Sequence, residues 1–191
     1  MINNDRLKEI ISAIQAVLTE KGRATVAIDG RCAAGKTTLA ARIARELDCN
    51  VFHMDDFFLR PEQRSEERLK KPGENVDHER FLSEVLEPVS RGEGCVYRPF
   101  SCKTQSLSEP IKVEFKSVSV VEGSYSCHEK LSPYYDLRVF LDVDPEEQLR
   151  RIEERGGREK LQDFKRIWIP LEEAYFEAYS IADRCRIYIK T

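Results

Sequence analysis

A glycine-rich segment near the N-terminal end carries the clearest chemical signal in this sequence. Residues 30–37 read GRCAAGKT and match the pattern G-x-x-x-x-G-K-[ST]. Glycines at both ends allow a tight turn, so that successive backbone N–H groups converge on a phosphate. The residues expected to hold nucleotide phosphates are Gly30, Arg31, Cys32, Ala33, Ala34, Gly35, Lys36, Thr37 and Thr38.

Two side chains of this loop have distinct predicted roles. Lys36 would neutralise the β- and γ-phosphate oxygens, and the Thr37 hydroxyl would bind magnesium. The apolar stretch ATVAIDG precedes the loop and the helical stretch TTLAARIAREL follows it. This strand–loop–helix order favours a true phosphate loop over an ordinary glycine turn. It predicts ATP and Mg²⁺ as cofactors.

Acidic residues follow two other predicted strands. Asp55 and Asp56 come after NVFHM, and Glu122 comes after SVSVV. Ligands of open parallel sheets bind beyond the carboxyl ends of the strands. Asp55 suits a carboxylate that orients and deprotonates a hydroxyl acceptor, and Thr37, Asp55 and Glu122 form a candidate magnesium set. A helix cap at Asp55 and a solvated strand end at Glu122 are the alternatives.

Arginines cluster after the predicted strand that ends at Asp142. They are Arg150, Arg151, Arg155 and Arg158. Such residues can close over a transferring phosphoryl group as a helical lid, which makes Arg151 and Arg155 catalytic candidates and Arg158 a substrate candidate. The glycine pair after Arg155 suits a hinge. Interleaved glutamates support the alternative of a solvated helix with i,i+4 ion pairs.

The elements that must position these residues alternate between strand and helix. Residues 1–21 show helical apolar spacing, and residues 160–179 predict a longer helix before a final strand at CRIYI. GCVYRPF and IKVEFK predict a β-hairpin insertion over residues 95–115, and residues 145–160 form the lid. The polar stretch 59–75 is expected to be a mobile connection. The pattern predicts one α/β domain over residues 1–191, a three-layer α/β/α P-loop NTPase fold with a parallel sheet.

Together these segments resemble the uridine kinase family of P-loop nucleoside kinases, which is related to nicotinamide riboside kinases and phosphoribulokinases. The similar segments are IDGRCAAGKTTLA, HMDDFF, NVDHERF and VVEGSYS. The resemblance implies a catalytic aspartate at Asp55, an aspartate that binds the substrate ribose at Asp77, and a magnesium-holding glutamate at Glu122. It also implies that the hairpin covers a nucleobase, with Tyr97 as a substrate contact.

The hairpin departs from that family. Arg98 stands where the family has an acid, and no histidine follows; Lys103 comes instead. The resemblance therefore supports phosphoryl transfer more strongly than it supports pyrimidine recognition. The two basic residues suggest an acidic or already phosphorylated acceptor. His53 and Trp168 are expected to be core or near-core residues.

Composition limits the partners that can be expected. Lys and Arg total 31 against 34 Asp and Glu, a formal net charge of −3, which lacks the basic excess of a typical nucleic-acid binder. The six cysteines include no C-x-x-C pair, and no long apolar run predicts a membrane span. We expect a reduced cytoplasmic protein with a small-molecule substrate, without nucleic-acid or membrane partners, and a homo-oligomer remains open.

Three functions stay open from the sequence. The first is a kinase that transfers the ATP γ-phosphoryl group to a hydroxyl of a small molecule, of nucleoside or other type. The second is a nucleotide-dependent regulatory or binding protein with no metabolite kinase activity. An NTPase coupled to a protein partner is weaker, because no water-positioning residue or switch segment is evident.

Overall fold

The computed structural model describes residues 2–191. In this part of the chain the strands are β1 (Ala24–Gly30), β2 (Cys49–His53), β3 (Cys95–Tyr97), β4 (Phe100–Ser101), β5 (Ser106–Leu107), β6 (Ile111–Val113), β7 (Val118–Glu122), β8 (Leu137–Asp142) and β9 (Ile187–Lys190). Five of them form a central sheet in the order β2-β7-β1-β8-β9. All neighbouring pairs in that sheet are parallel.

Helices cover both faces of the sheet. They are α1 (Asn4–Lys21), α2 (Lys36–Glu46), α3 (Glu66–Leu69), α4 (His78–Phe81), α5 (Glu87–Ser90), α6 (Pro145–Asp163) and α7 (Ile169–Tyr179). A π turn over Leu82–Leu86 joins α4 to α5, and another over Phe164–Trp168 joins α6 to α7. The predicted three-layer α/β/α fold with a parallel sheet is confirmed.

The central strands are apolar because both of their faces are covered. Every residue of β1 and β7 is buried, as expected for strands between two helical layers. On one face, α1 and α2 pack on the sheet through a cluster that includes Ile10, Ile14 and Ile43. Helix α1 begins at an Asn3 side-chain cap. On the other face, α4, α5 and α7 contribute a second cluster.

The predicted hairpin is present in a branched form. Strands β3 and β6 pair antiparallel, as expected for residues 95–115. A smaller antiparallel pair, β4 and β5, extends from its tip. The hairpin therefore forms two short ribbons beside the sheet.

The predicted lid is longer than expected and packs directly against the phosphate loop. Helix α6 runs beyond residue 160 to Asp163, and Gly157 breaks it with φ 76° and ψ 178°. Ile152 and Leu161, on the two sides of this break, pack against Cys32 of the loop. The expected helix from 160 to 179 is therefore three pieces: the end of α6, a π turn, and α7.

The polar stretch 59–75 is more ordered than the sequence suggests. It contains the helical turn Pro61–Gln63 and α3, and the side chains of Leu59 and Asn75 are buried. The expectation of a mobile connection without core contacts was wrong, because buried residues at its two ends hold the segment against the domain. None of the helices within residues 2–191 combines the length and apolar character that crossing a bilayer requires.

Candidate active site

The phosphate loop joins β1 to α2 and presents a ring of free backbone donors. Gly30 has φ 130° and lies against the backbone of Leu141, where a Cβ atom would overlap the carbonyl. Gly35 has φ 94° and caps α2. Within residues 2–191, the amides of Ala33, Gly35 and the first α2 residues donate to no protein acceptor. Such a nest at a helix N-terminus is an anion site.

Lys36 is held beneath this nest. Its ammonium donates to the carbonyl oxygens of Gly30 (2.7 Å) and Arg31 (3.0 Å) and lies 3.4 Å from the Ser124 hydroxyl. The side chain is buried, yet it also lines the cleft. Its partners are carbonyl and hydroxyl oxygens rather than carboxylates, so its positive charge is available to a bound anion.

Thr37, Glu122 and His53 form a compact polar cluster beside the lysine. The Thr37 hydroxyl lies 3.1 and 3.2 Å from the two carboxylate oxygens of Glu122, and His53 Nδ1 lies 2.5 Å from one of them. The hydrogen bond to Glu122 raises the pKa of His53. His53 was expected in or near the core. It is half-buried, with 43% of its side chain exposed, and it bonds to Glu122 at the strand ends.

Asp55 and Asp56 occupy a 3₁₀ turn after β2 and diverge. Asp55 faces the cleft, and the partial desolvation there raises its pKa, while Lys36 opposes the rise. Asp56 turns toward the hairpin, where its carboxylate lies 3.5 Å from the Tyr97 hydroxyl. The two adjacent acids thus have different surroundings. Only Asp55 is placed to meet an acceptor near the phosphate loop.

The lid arginines also differ from one another in whether they face the cleft. Arg151 and Arg155 line the cleft; Arg151 donates to the Ala33 carbonyl at 3.2 Å and pairs with Glu147. The Arg158 side chain is 91% exposed and pairs with Glu153. The structure brings Arg151 to the loop and Arg155 to the cleft, and it leaves Arg158 on the surface.

The predicted substrate residues Asp77 and Tyr97 lie behind the cleft wall. Asp77 is buried, caps α4 through the Arg80 amide and pairs with the Arg80 guanidinium at 3.3 Å. Tyr97 packs against Phe57 with ring centroids 5.3 Å apart. Neither side chain lines the cleft. In this conformation both have structural partners, and their roles toward substrate remain predictions.

The cleft itself has a volume of about 630 Å³. Part of its lining is aromatic and apolar, with Phe58 and Trp168 at a centroid distance of 6.1 Å. Val76 and Tyr125 also line it. Trp168 was expected in the core, but 37% of it is exposed, because it stands in the π turn and lines the cleft.

The basic hairpin residues do not contribute to this wall. Arg98 donates to the carbonyl oxygens of Ser108 and Leu107 within its own hairpin. Lys103 is exposed at the tip. Neither side chain lines the cleft, although Cys102 beside Lys103 does. The acidic or phosphorylated acceptor therefore stays a prediction.

Two buried carboxylates in this region were not recognised from the sequence. Asp29, the last residue before the loop, accepts hydrogen bonds from the amides of Gly30 and Cys127 and from the Tyr175 hydroxyl. Glu172 of α7 accepts a hydrogen bond from the Cys32 amide. Asp29 was visible in the segment IDG as a charge inside an apolar run. No sequence signal connects Glu172 to the loop, 140 residues away.

The Cys32 thiol is a filler side chain. It is buried against the lid, and burial raises its pKa to about 12. A thiol held neutral in this way is a poor nucleophile. The loop position is therefore used for packing.

Comparison with known proteins gives relatives that are named as kinases. A probable thymidylate kinase from Archaeoglobus fulgidus is 28% identical over 157 residues, which span 74% of each chain. A pantothenate kinase from Streptococcus suis is 26% identical over 140 residues, 63% of this chain and 45% of the relative. No protein-family model matches the chain.

Among solved structures, a possible uridine kinase from Bacillus stearothermophilus superposes with a TM-score of 0.73. The match covers 97% of both chains at 21% sequence identity. At this identity the match shows the fold, which is that of P-loop kinases. The resemblance to uridine kinase-like proteins drawn from the sequence is confirmed at this level.

Proposed function

We propose that this protein is an ATP- and magnesium-dependent kinase that transfers the γ-phosphoryl group to a hydroxyl of a small molecule, in the manner of a uridine kinase-like nucleoside kinase. One observation carries the proposal. Asp55, Lys36 and the Thr37–Glu122 pair face a single cleft at the carboxyl ends of the parallel strands. A protein that only binds nucleotide has no need for a carboxylate opposite the phosphate nest.

The chemistry follows from what each group can do. The free loop amides and Lys36 would hold the triphosphate, and Arg151 and Arg155 would balance charge on the transferring group. Asp55 would orient the acceptor hydroxyl and take its proton. Its raised pKa makes the ionised carboxylate a stronger base than a fully solvated aspartate.

The oxygen ligands beside the loop fit a magnesium ion. Thr37 offers a hydroxyl and Glu122 a carboxylate, which are hard oxygen donors of the type that magnesium prefers. Asp55 lies in the same cleft and completes the predicted set. When bound, the ion would neutralise phosphate charge.

The apolar part of the cleft lining favours a neutral acceptor with an apolar or aromatic part. Phe58, Val76, Trp168 and Tyr125 line the cleft, and the hairpin arginine and lysine do not. A nucleoside fits this character better than a sugar phosphate does. The thymidylate and pantothenate kinases among the relatives act, by their names, on different acceptors. The comparison therefore supports phosphoryl transfer but does not single out one acceptor.

The test is a coupled ATP-consumption assay of the purified protein with magnesium. The acceptor panel contains uridine, cytidine, nicotinamide riboside, pantothenate, thymidylate and phosphorylated sugars. We expect acceptor-dependent turnover, highest with an unphosphorylated nucleoside. Turnover with a phosphorylated sugar alone would contradict the acceptor class and leave the kinase proposal standing.

The catalytic assignment is tested by Asp55→Asn against its neighbour Asp56→Asn. Loss of a general base costs roughly 10²- to 10⁴-fold in turnover, so Asp55→Asn should fall by that range while its nucleotide affinity changes little. Asp56→Asn, whose side chain points to the hairpin, is the matched control. Equal turnover of Asp55→Asn and the wild type would remove Asp55 from the mechanism. Nucleotide binding without turnover on any acceptor would favour the regulatory alternative.

A further inference from the structure

Glu172 places a buried negative charge at the phosphate end of the cleft. Its side chain belongs to α7, the helix that follows the lid, and the residue is only 4% exposed. The carboxylate accepts a hydrogen bond from the Cys32 amide at 2.9 Å and another from the Ser124 hydroxyl. The same residue lines the cleft beside the loop.

This charge has no direct cationic partner. Within residues 2–191, no lysine, arginine or histidine nitrogen forms an ion pair with Glu172. Its link to a cation runs through Ser124, whose hydroxyl donates to the carboxylate and lies 3.4 Å from the Lys36 ammonium. Buried carboxylates are normally paired, because desolvating a lone charge is costly. Lys36 is therefore the cation that stabilises Glu172, and the Ser124 hydroxyl lies between the two charged groups.

The phosphate nest begins directly beside this carboxylate. Glu172 accepts from the amide of Cys32, and the next amide along the loop, that of Ala33, is free. The amides at the start of α2 are free as well. One end of the anion site thus already holds an anion that belongs to the protein. A bound polyphosphate would bring a second anion to the same site and would use the same lysine.

We propose that Glu172 is an internal anion that opposes the binding of nucleoside polyphosphates and so sets their affinity. The inference rests on the proposed function, since it concerns the nucleotide of the same site. Two negative charges that share one lysine repel each other strongly in a partly desolvated cleft. The penalty grows with the charge of the ligand, so it is larger for ATP than for ADP and larger for ADP than for AMP.

A purely structural role of Glu172 predicts something else. If the carboxylate only holds the loop in shape, removing its charge would leave nucleotide binding unchanged or weaken it, and equally for all three nucleotides. Glu172→Gln separates the two cases. Its carbonyl oxygen can accept from the Cys32 amide and its amide group can donate to Ser124, so the loop contacts are kept while the charge is lost.

The experiment is isothermal titration of wild type, Glu172→Gln and Glu177→Gln with AMP, ADP and a non-hydrolysable ATP analogue, in the presence of magnesium. Glu177 lies on the same helix and is exposed, so its variant controls for net charge. We expect Glu172→Gln to bind the ATP analogue about tenfold more tightly, from Coulomb repulsion removed in a cleft. The gain should be smaller for ADP and smallest for AMP, and Glu177→Gln should match the wild type.

Unchanged or weaker binding of the ATP analogue by Glu172→Gln, or an equal change for all three nucleotides, would overturn the inference. A second variant, Glu172→Ala, guards against poor folding of the first. Even if it loosens the loop, its preference for the ATP analogue over AMP should exceed that of the wild type. A folded wild-type protein that binds none of the nucleotides would defeat the proposed function itself, whereas tight wild-type binding with no gain in the variants defeats the inference alone.

Discussion

Asp29 should make the stability of this protein fall as the pH rises through the acidic range. Its carboxylate is fully buried beneath the phosphate loop. Burial raises its pKa from 3.8 to about 6, although hydrogen bonds from the Cys127 and Gly30 amides and the Tyr175 hydroxyl counteract the rise. The folded protein therefore holds the proton of Asp29 more tightly than the unfolded chain does.

The sign and size of the effect follow from linkage. Between the two pKa values the unfolded state binds fewer protons than the folded state, so the free energy of unfolding decreases with rising pH. The full loss is about 3 kcal/mol, from a shift of roughly two units at 1.36 kcal/mol each. Between pH 4.5 and 7.5, where the titration is incomplete at the acid end, the same pKa values give about 2 kcal/mol.

Urea unfolding of the wild type and Asp29→Asn across this pH range measures the effect. The asparagine cannot ionise, but it leaves at least one buried amide without an acceptor, at a pH-independent cost of about 1–3 kcal/mol. The difference in unfolding free energy between the two proteins should therefore shift by about 2 kcal/mol in favour of Asp29→Asn as the pH rises. Asp183→Asn, an exposed position, should show no such shift. Parallel pH profiles for wild type and Asp29→Asn would refute the reasoning.

Two further predictions concern the loop and the lid. Gly30→Ala should abolish nucleotide binding measured by titration, because φ is 130° there and the new Cβ would overlap the Leu141 carbonyl; binding at wild-type affinity would contradict the loop geometry. Arg155→Gln should lower turnover by roughly 10²- to 10³-fold, which is the usual loss when one preorganised donor to a developing charge is removed. Arg158→Gln, exposed and paired with Glu153, should stay within about threefold of the wild type; equal losses in both variants would show that the lid closes further than this structure does.

The sequence alone predicted the fold class, which the structure confirms, and the position of the candidate phosphate loop. These depend on local patterns: buried strands read as continuous apolar runs, and a loop between a strand and a helix needs glycine where the backbone turns toward an anion. The fixed spacing of GRCAAGKT predicted Lys36 and Thr37 as the side chains at the end of the loop, and both line the cleft. The rule that ligands bind beyond the strand ends also predicted that Asp55 and Glu122 lie at one edge of the sheet.

Only the tertiary structure showed the surroundings of each candidate residue. The sequence had favoured Asp55 over Asp56, but it had also made Arg158 a substrate candidate, and that side chain is 91% exposed beyond the break at Gly157. The same holds for Glu172, which reaches the loop from a helix 140 residues later. A local pattern encodes the backbone of one segment, whereas the pairing of distant side chains depends on how the layers pack, and that information is spread over the whole chain.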